Sequence, residues 1–506
     1  MATGLAGGLA AAFVAPAPAF AQSAGPPSGA NQAAKDKAAD EHPLSWHGIT
    51  LYGSYDIGVG WVSHGLPDNG YNYEGQSLVN KNGGGARFVI AQNSLSQTGL
   101  GIRGREAILP GVYGVFSAST GVNPQSGDLA NMAKTNIVNN GLPRAAYSYA
   151  GDGARAGQVF NDEIYAGISS DRYGTLTFGR QRALGTDAML QYDPAGGAYA
   201  FSFIGYNGLM AGGGDTQDTR WDQTVKYRAS YGPVHVGAMY KFIDGQGGCY
   251  AATAGFTAAT CAPVAPHNDA WGLDGGIVWH RFAADVVYQR VNQAISVVNP
   301  LLGPTSLTQP YQSTVNSIDL KQITGANLID PANTEYGIVT DNRAILVAAK
   351  YTTRTLRLYA GFEHVIYHNP KHPLGLGASA QGGYLLSGVE DNNLPSPKKV
   401  NVWWTGAKLS LDARTGATFA FYREDQNDFR VPATCTAASM LSSCAGHLDE
   451  VSFYLDHHFT RHFDVFAGIA WSDVAGGLAI AIPHAPGVPY YHDTNTAPTL
   501  GGRFSF

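Results

Sequence analysis

Short segments in which apolar and polar residues alternate recur along the whole chain, and this pattern constrains the fold more than any other feature. Period-two alternation is typical of a β-strand whose two faces meet different surroundings. The segment from His47 to Val62 is a clear example. Its apolar face carries Ile49, Leu51, Tyr55, Ile57, Val59 and Trp61. About sixteen such segments follow one another, joined alternately by short turns and long loops.

A membrane barrel explains these segments better than a soluble β-sandwich, although a single sandwich strand would show the same alternation. Only 14% of the 506 residues are charged, whereas soluble proteins carry about 25%. No run of about 18 apolar residues follows the N-terminus, which argues against membrane-spanning helices. In a closed barrel only every second residue of a strand needs to be apolar. We therefore predict an all-β fold, a transmembrane antiparallel β-barrel of about 16 strands.

A long loop interrupts the succession of strands after a well-defined hairpin. The hairpin begins near Phe160 and turns at the DRYG sequence that starts at Asp171. Roughly 35 residues rich in Gly, Tyr and Asp then precede the next alternating segment at Trp221. A loop of this length within a folded domain is usually functional. We predict that this third long loop, residues 185–220, folds into the lumen and narrows it. An external loop like the others is the alternative.

The N-terminal residues predict export followed by a linker. An apolar segment ends in Ala19-Phe20-Ala21, a small-x-small cleavage site, which predicts a signal peptide over residues 1–21. Residues 22–46 are polar, rich in Ala and Pro, and without hydrophobic periodicity, which predicts a disordered leader. The barrel is expected over residues 47–506.

The cysteines occur as two local pairs inside loops rich in small residues. An exported chain meets an oxidising compartment, and four cysteines allow three connectivities. We favour the two local disulfides, with free loop thiols as the alternative. The predicted pairs are Cys249 with Cys261 and Cys435 with Cys444.

Sequence motifs give no indication of catalysis, a cofactor or a metal. The GxGxxG match at residues 99–104 lies inside an alternating segment with no helix after it, so a dinucleotide site is not expected. No GxSxG motif occurs. Three histidines near the C-terminus surround a short turn without the spacing of metal ligands: His457, His458 and His462. A formal net charge of −6 does not indicate nucleic-acid binding.

Several stretches resemble the general porins of Gram-negative bacteria, the trimeric family with sixteen strands. The resembling stretches are ITLYGSYDIGV, LGIRGRE, FNDEIYAGISSDRYGTLTFGRQ, YLDHHFTRHFDVFAGIAW and the terminal GGRFSF. They span nearly the whole chain after the predicted leader. The chain departs from the family where Asp162 stands in place of a basic residue and Ser119 in place of an acid.

This resemblance implies a location and partners. A general porin lies in the outer membrane, in contact with lipid and lipopolysaccharide, and assembles as a homotrimer. The terminal aromatic residue Phe506 resembles the signal that is read by the barrel assembly machinery in this family.

Alternation and charge select candidate residues for the narrowest part of such a pore. Opposed basic wall residues and acidic loop residues would set a transverse field there. Any of these residues would instead have a purely structural role if it formed a salt bridge away from the constriction. The predicted wall residues are Arg103, Arg105, Lys226 and Arg228, and the predicted loop residues are Asp187, Asp193, Tyr192, Tyr199 and Tyr206.

Arg180 conflicts with strict alternation. It shares the parity of Leu176 and Phe178, so a regular strand would point its guanidinium into lipid, at a cost of about 2 to 4 kcal/mol. Two resolutions remain open: a bulge turns it inward, or a neighbouring protomer supplies an acid at a trimer interface. We favour the interface.

The function that follows is a water-filled channel for passive diffusion of ions and small hydrophilic solutes, without enzymatic activity. A solute-specific channel is the nearest alternative. A barrel-embedded hydrolase and a structural barrel with a plugged lumen are the others.

Overall fold

The computed structural model describes residues 44–63, 86–122, 124, 127, 129, 159–207, 219–243, 248–249, 266–298, 335–373, 379–381, 384–390, 394–429, 435, 444–479 and 492–506. The predicted signal peptide and residues 22–43 of the predicted leader lie outside this part of the chain. Ser45–Trp46, still within the predicted leader, form a short strand that pairs with residues 49–50. The end of the leader is therefore ordered, because it continues the sheet.

Sixteen antiparallel strands form one closed barrel in the described part of the chain, as predicted. Each strand pairs with the next along the chain, and the last pairs with the first from Ser505 opposite Ser54 to Thr499 opposite Gly60. The strands are β1 (Ile49–Val62), β2 (two segments, Arg87–Gln92 and Gly99–Leu109), β3 (Val112–Gly121), β4 (Glu163–Ser170), β5 (Gly174–Arg182), β6 (Arg220–Tyr231), β7 (Val234–Lys241), β8 (Ala270–Trp279), β9 (Phe282–Val298), β10 (Glu335–Thr352), β11 (Leu356–His368), β12 (Lys398–Ser410), β13 (Thr415–Gln426), β14 (Gly446–His458), β15 (Phe463–Gly476) and β16 (His492–Ser505).

The two faces of the sheet differ in polarity as the alternation predicts. On β1, Leu51 and Val59 are 39% and 53% exposed, whereas Asp56 between them is fully buried. The same contrast holds on β5, where Phe178 is exposed and Thr177 is buried. Apolar side chains that point away from a closed sheet match the hydrocarbon of a membrane, and the polar ones line the lumen.

Short turns join the strands at one end of the barrel. In the hairpin predicted at DRYG, β4 ends at Ser170 and β5 begins at Gly174. Gly174 has φ +86°, a left-handed conformation that residues with a Cβ rarely adopt. The connections at the opposite end are longer. One of them contributes Ser379–Gln381 and Tyr384–Glu390, a small hairpin whose second strand runs parallel to the start of β10.

The second strand is interrupted, which the sequence did not predict. Its first segment is Arg87–Gln92. Residues 93–98 leave the strand and fold over Asp56, whose carboxylate accepts the backbone N–H groups of Ser94, Leu95 and Ser96 at 2.8–3.0 Å. A buried carboxylate with three such bonds replaces the strand pairing lost in this interruption.

The C-terminal residue is part of the sheet. Phe506 and Gly53 exchange two backbone hydrogen bonds of 3.0 and 3.1 Å. Gly53 makes room for the ring, because an added Cβ would lie 2.7 Å from Phe506 Cζ. The role of Phe506 as an assembly signal stays a prediction.

Two helices occur between β5 and β6: α1 (Leu184–Tyr192) and α2 (Phe203–Asn207). Neither these nor any other helix in the described part of the chain has the length and apolar character needed to cross a membrane.

One of the two predicted disulfides is present. Cys435 and Cys444 are bonded within the loop between β13 and β14, and the Cys444 carbonyl accepts the side-chain amide of Gln426 at 2.9 Å. The other predicted pair, Cys249 with Cys261, lies outside the residues whose side chains are described. The confirmed disulfide therefore restrains a loop next to the end of β13.

Replacement of both Cys435 and Cys444 by serine is expected to loosen this loop and to leave the barrel intact, because the bond joins no two strands. Limited proteolysis of the purified protein should be faster in the loop than in the parent. The heat-resistant mobility in unheated SDS gels should not change. Loss of that mobility would show that the disulfide supports the barrel itself.

Candidate functional site

The loop between β5 and β6, residues 183–219, is called the constriction loop below, and its described part lies inside the barrel. Its two ends are held together, because the N–H of Ala183 donates to the carbonyl of Thr219 at 2.9 Å. Helix α1 starts directly after Ala183. Leu184 packs over Gly237 on β7 and Gly272 on β8, where an added Cβ would meet its methyl groups at 3.2 and 3.5 Å. The absence of side chains at these glycines lets the helix approach the wall.

An ion-pair cluster attaches α1 to the wall. Asp187 accepts hydrogen bonds from Lys226 Nζ at 2.6 Å and from Arg228 Nη2. Arg228 also lies 3.3 Å from Asp274 on β8. Lys226 and Arg228 on the wall therefore contact an acid of the loop, as predicted. The expectation that the bases and the acid face each other across open water needs correction, because the side chains touch and are only 6–13% exposed.

The charge state of Asp187 depends on this contact. Burial alone would raise the pKa of Asp187, but the neighbouring Lys226 and Arg228 lower it below its ordinary value. A carboxylate with a lowered pKa stabilises the folded state above its ordinary pKa, about 3.9. That contribution is lost only as the pH falls through the lowered value, so the Asp187 carboxylate stays ionised at neutral pH.

The last residue of α1, Tyr192, attaches the helix to the wall. The Tyr192 side chain is fully buried, its ring lies 5.2 Å from Lys350 Nζ, and its carbonyl accepts the indole N–H of Trp404 at 3.0 Å. Burial and the neighbouring Asp285 carboxylate raise the pKa of the Tyr192 hydroxyl. Tyr192 was predicted to shape the opening, but its buried side chain fixes the loop to the wall instead.

Asp193 also differs from its predicted role as an acid opposite basic residues. Its carboxylate accepts hydrogen bonds from the Tyr422 hydroxyl at 2.5 Å, from Ala195 N–H at 3.1 Å and from Gly197 N–H at 2.7 Å. Burial raises the pKa of Asp193. The carboxylate therefore organises the turn after α1 and ties it to β13.

A second group of contacts holds the loop on strand β14, and the Phe201 ring also meets Phe466 on β15 edge-on with centroids 6.3 Å apart. The Phe201 ring stacks on Tyr454 with centroids 4.6 Å apart, and its carbonyl accepts the Ser452 hydroxyl at 2.7 Å. The N–H of Phe203 donates to Glu450 at 3.1 Å. Glu450, Tyr422 and Ser452 were not predicted from the sequence. Their polar side chains at inward-facing positions of two alternating strands, β13 and β14, were the available signal.

The loop then returns towards β2. The N–H of Ala200 donates to the Ser94 carbonyl at 3.1 Å, and the Tyr199 hydroxyl donates to Gln97 at 3.1 Å. Both partners belong to the interruption of β2 that Asp56 organises. Tyr206, also predicted to shape the opening, lies outside the residues whose side chains are described. The constriction loop thus contacts the wall from β6 to β15 and the interruption of β2.

The two predicted arginines on β2 lie on the inner face, away from these contacts. The Arg103 guanidinium lies 5.3 Å from the ring centroid of Tyr52. Arg105 lies over the ring of Tyr113 at 3.5 Å and 3.4 Å from Asp171 in the β4–β5 turn. Within the described residues, neither arginine forms an ion pair or hydrogen bond with the constriction loop. Their position at the narrowest point stays a prediction.

The two departures from the family pattern are in direct contact. The Ser119 hydroxyl donates to Asp162 at 2.9 Å. Arg182 and Arg220 bond the same carboxylate at 2.9 and 2.8 Å. Arg182 ends β5 and Arg220 begins β6, so the cluster lies at the ends of the constriction loop. An acid in place of the usual base is therefore neutralised by two arginines of this chain.

The conflict over Arg180 is resolved within one chain. A bulge at Gly179, which has φ +134°, shifts the pairing between β5 and β6. Arg180 is 6% exposed and lies 2.7 Å from Asp222 on β6. The expectation that a neighbouring protomer supplies the acid is corrected by this contact, because Asp222 supplies it. The location of Arg180 at a protomer interface stays a prediction.

A closed sixteen-stranded barrel with a polar inner face and a loop fixed across its lumen defines an outer-membrane protein of the porin type. The family model described as Gram-negative porin matches residues 8–476. The chain therefore belongs to the Gram-negative porin family, and this membership confirms the predicted resemblance and the outer-membrane location.

Individual relatives are more distant. An outer membrane porin protein of Bordetella pertussis is 26% identical over 195 residues, which is 38% of this chain. The match spans 42% of that relative, less than half of its length. An anion-selective porin from Comamonas acidovorans aligns with 90% of this chain and 99% of its own, with a TM-score of 0.53 and 14% identity. The outer-membrane-expressed OmpT of Vibrio cholerae aligns with 92% of this chain and 99% of its own, with a TM-score of 0.50 and 11% identity. At 11–14% sequence identity, structural similarity shows only that the fold is shared.

The ion-pair cluster on α1 yields a direct prediction. The variant Asp187→Asn leaves Lys226 and Arg228 buried without this carboxylate, and removal of one partner of a buried pair costs about 3 to 5 kcal/mol. We expect α1 to detach from the wall while the barrel stays closed. Single-channel recordings should show larger or more fluctuating conductance than the parent.

The control is Asp412→Asn in the exposed turn between β12 and β13, which should leave the conductance unchanged. Parent-like conductance and current noise in Asp187→Asn would contradict the role of this cluster in holding the loop.

Proposed function

We propose that the protein is a general porin: a water-filled outer-membrane channel through which ions and small hydrophilic solutes diffuse passively, without catalysis. The observation that carries the proposal is the constriction loop, which lies inside a barrel of porin fold and whose described residues contact only part of its wall. A loop attached in this way narrows a lumen and leaves a passage beside it.

The passage is inferred to run along the wall formed by β1 to β5. The described loop contacts lie on β6 to β15 and on the interruption of β2. The opposite wall presents polar and charged side chains, including Tyr52, Arg103 and Ser117, and the first and last of these share a hydrogen bond of 3.3 Å. Hydrophilic solutes would exchange hydration water for such groups at little cost.

Arg103 is proposed to bias this passage towards anions. No ion pair neutralises it among the described residues, in contrast to Arg105, Lys226 and Arg228. An uncompensated charge beside a narrow aqueous path raises the local concentration of counter-ions.

A homotrimer, contact with lipid and lipopolysaccharide, and recognition of Phe506 by the assembly machinery are also proposed. They are supported by the resemblance of the sequence to the trimeric porins and by the exposed apolar residues on the outer face, such as Val59, Phe178 and Leu500. Cross-linking in outer membranes tests the trimer.

Conductance across a planar lipid bilayer tests the proposed function. A general porin should give stepwise currents proportional to the conductivity of the bath, without saturation by added sugars or amino acids. Saturable block by one solute class would identify a solute-specific channel instead. Absence of current would contradict the proposal and favour a plugged barrel.

The double variant Arg103→Glu and Arg105→Glu is expected to shift the zero-current potential in a salt gradient towards that of a cation-selective pore, because four units of charge change along the proposed path. Arg354→Glu, in the exposed β10–β11 turn, is the control and should shift it much less. An unchanged potential in the double variant would show that these arginines do not line the passage.

A further inference from the structure

Three neighbouring strands place two potential metal ligands in one row on the inner wall. Gly276 on β8 pairs with His235 on β7 and with Asp285 on β9. Because Gly276 has no side chain, the His235 imidazole and the Asp285 carboxylate lean over it from both sides and approach to 2.7 Å. A Cβ at Gly276 would overlap both groups. The glycine therefore creates the space in which the two side chains meet.

A third ligand lies on the same face. Asp274 precedes Gly276 by two residues on β8, so its carboxylate points to the same side of the sheet. One ligand atom from each of His235, Asp274 and Asp285 can be chosen so that all three lie within 4.8 Å of one another. All three residues are buried, with exposures of 2%, 7% and 1%.

Their polar atoms are not satisfied by the protein. His235 Nε2, Asp274 Oδ1 and Asp285 Oδ1 are buried without hydrogen-bond partners. The His235 Nε2 and Asp285 Oδ1 atoms lie 2.7 Å apart without hydrogen-bond geometry. Asp274 uses only its other oxygen, for Arg228. The hydroxyl of Tyr192 on α1 faces Asp285 and is also buried without a hydrogen bond of acceptable geometry. Unsatisfied buried polar atoms that converge in this way require an explanation.

We propose that His235, Asp274 and Asp285 bind a divalent transition-metal ion of the zinc class. One imidazole nitrogen and two carboxylate oxygens form a ligand set that zinc accepts in tetrahedral geometry, with a fourth position left for water. Calcium is disfavoured because it takes six to eight oxygen ligands. The ion would satisfy the three orphaned atoms and offset the charge of the two buried acids.

The site adjoins the cluster that holds the constriction loop. Asp274 contacts Arg228, and Arg228 contacts Asp187 on α1. A cation bound to Asp274 Oδ1 would add positive charge beside Arg228 and α1. Metal binding itself does not depend on the proposed channel activity, so the two proposals fail independently.

The test is the zinc content of the purified full-length protein in detergent, prepared without a histidine tag. The protein is stripped with a chelator, equilibrated with zinc chloride, dialysed and analysed by mass spectrometry. We expect about one zinc per chain, held at the three-ligand site. His235→Gln should reduce the content to the level of the zinc-free preparation. Asp274→Asn should weaken binding at least about tenfold.

His458→Gln, which alters a histidine at the β14–β15 turn, is the matched control and should retain the zinc. Heat-resistant mobility in SDS gels shows whether each variant is folded. Parent protein without zinc above background would overturn the proposal whatever the variants do. Zinc retained in folded His235→Gln at the parent level would overturn it as well.

Discussion

The structure depends on one constraint: every backbone hydrogen-bonding group inside a membrane must find a partner within the protein. A closed antiparallel sheet meets this requirement without helices. The pairing of β16 with β1, extended by the two bonds between Phe506 and Gly53, completes the closure. Alternation of side chains then follows from strand geometry, so each strand presents an apolar face to lipid and a polar face to the lumen.

The constriction loop is held by polar contacts that only a lumen of this kind offers. Its beginning is attached through Asp187 to Lys226 and Arg228, and its later part through Phe203 to Glu450. Broken buried contacts of this type are costly, because a charged or polar group is left without a partner. The loop is attached at both ends of its described part, so its position in the lumen is defined. A channel of constant width requires such a fixed position.

Much of the fold was predictable from the sequence because alternation is a local property of each strand. The meeting of Asp187 with Lys226 and Arg228 was also predictable, since parity places the two bases on the inner face and the loop supplies few acids. Arg180 shows the limit of the rule. The conflict with parity left a bulge and an acid from a neighbouring protomer as open resolutions, and only the three-dimensional pairing reveals the bulge at Gly179 and the partner Asp222.

The remainder was not predictable because it joins residues that are distant in sequence. Glu450 and Phe203 are 247 positions apart, and no local pattern connects them. His235, Asp274 and Asp285 come together through the register of three strands around Gly276. This register cannot be read from the spacing of the three residues along the chain. The first segment of β2 was missed because the interruption at residues 93–98 separates it from the rest of its strand.

Adjacent residues on β2 give the most direct test of the two-faced wall. In a protein whose Cys249 and Cys261 are replaced by serine, one cysteine is introduced by Ile102→Cys or by Arg103→Cys, and each variant is reconstituted into lipid vesicles. A charged, membrane-impermeant thiol reagent should label the Arg103→Cys protein rapidly and the Ile102→Cys protein hardly at all. A fluorophore attached at each position should show the reverse order of quenching by brominated lipid. Equal labelling and equal quenching at the two positions would contradict a closed sheet between hydrocarbon and water.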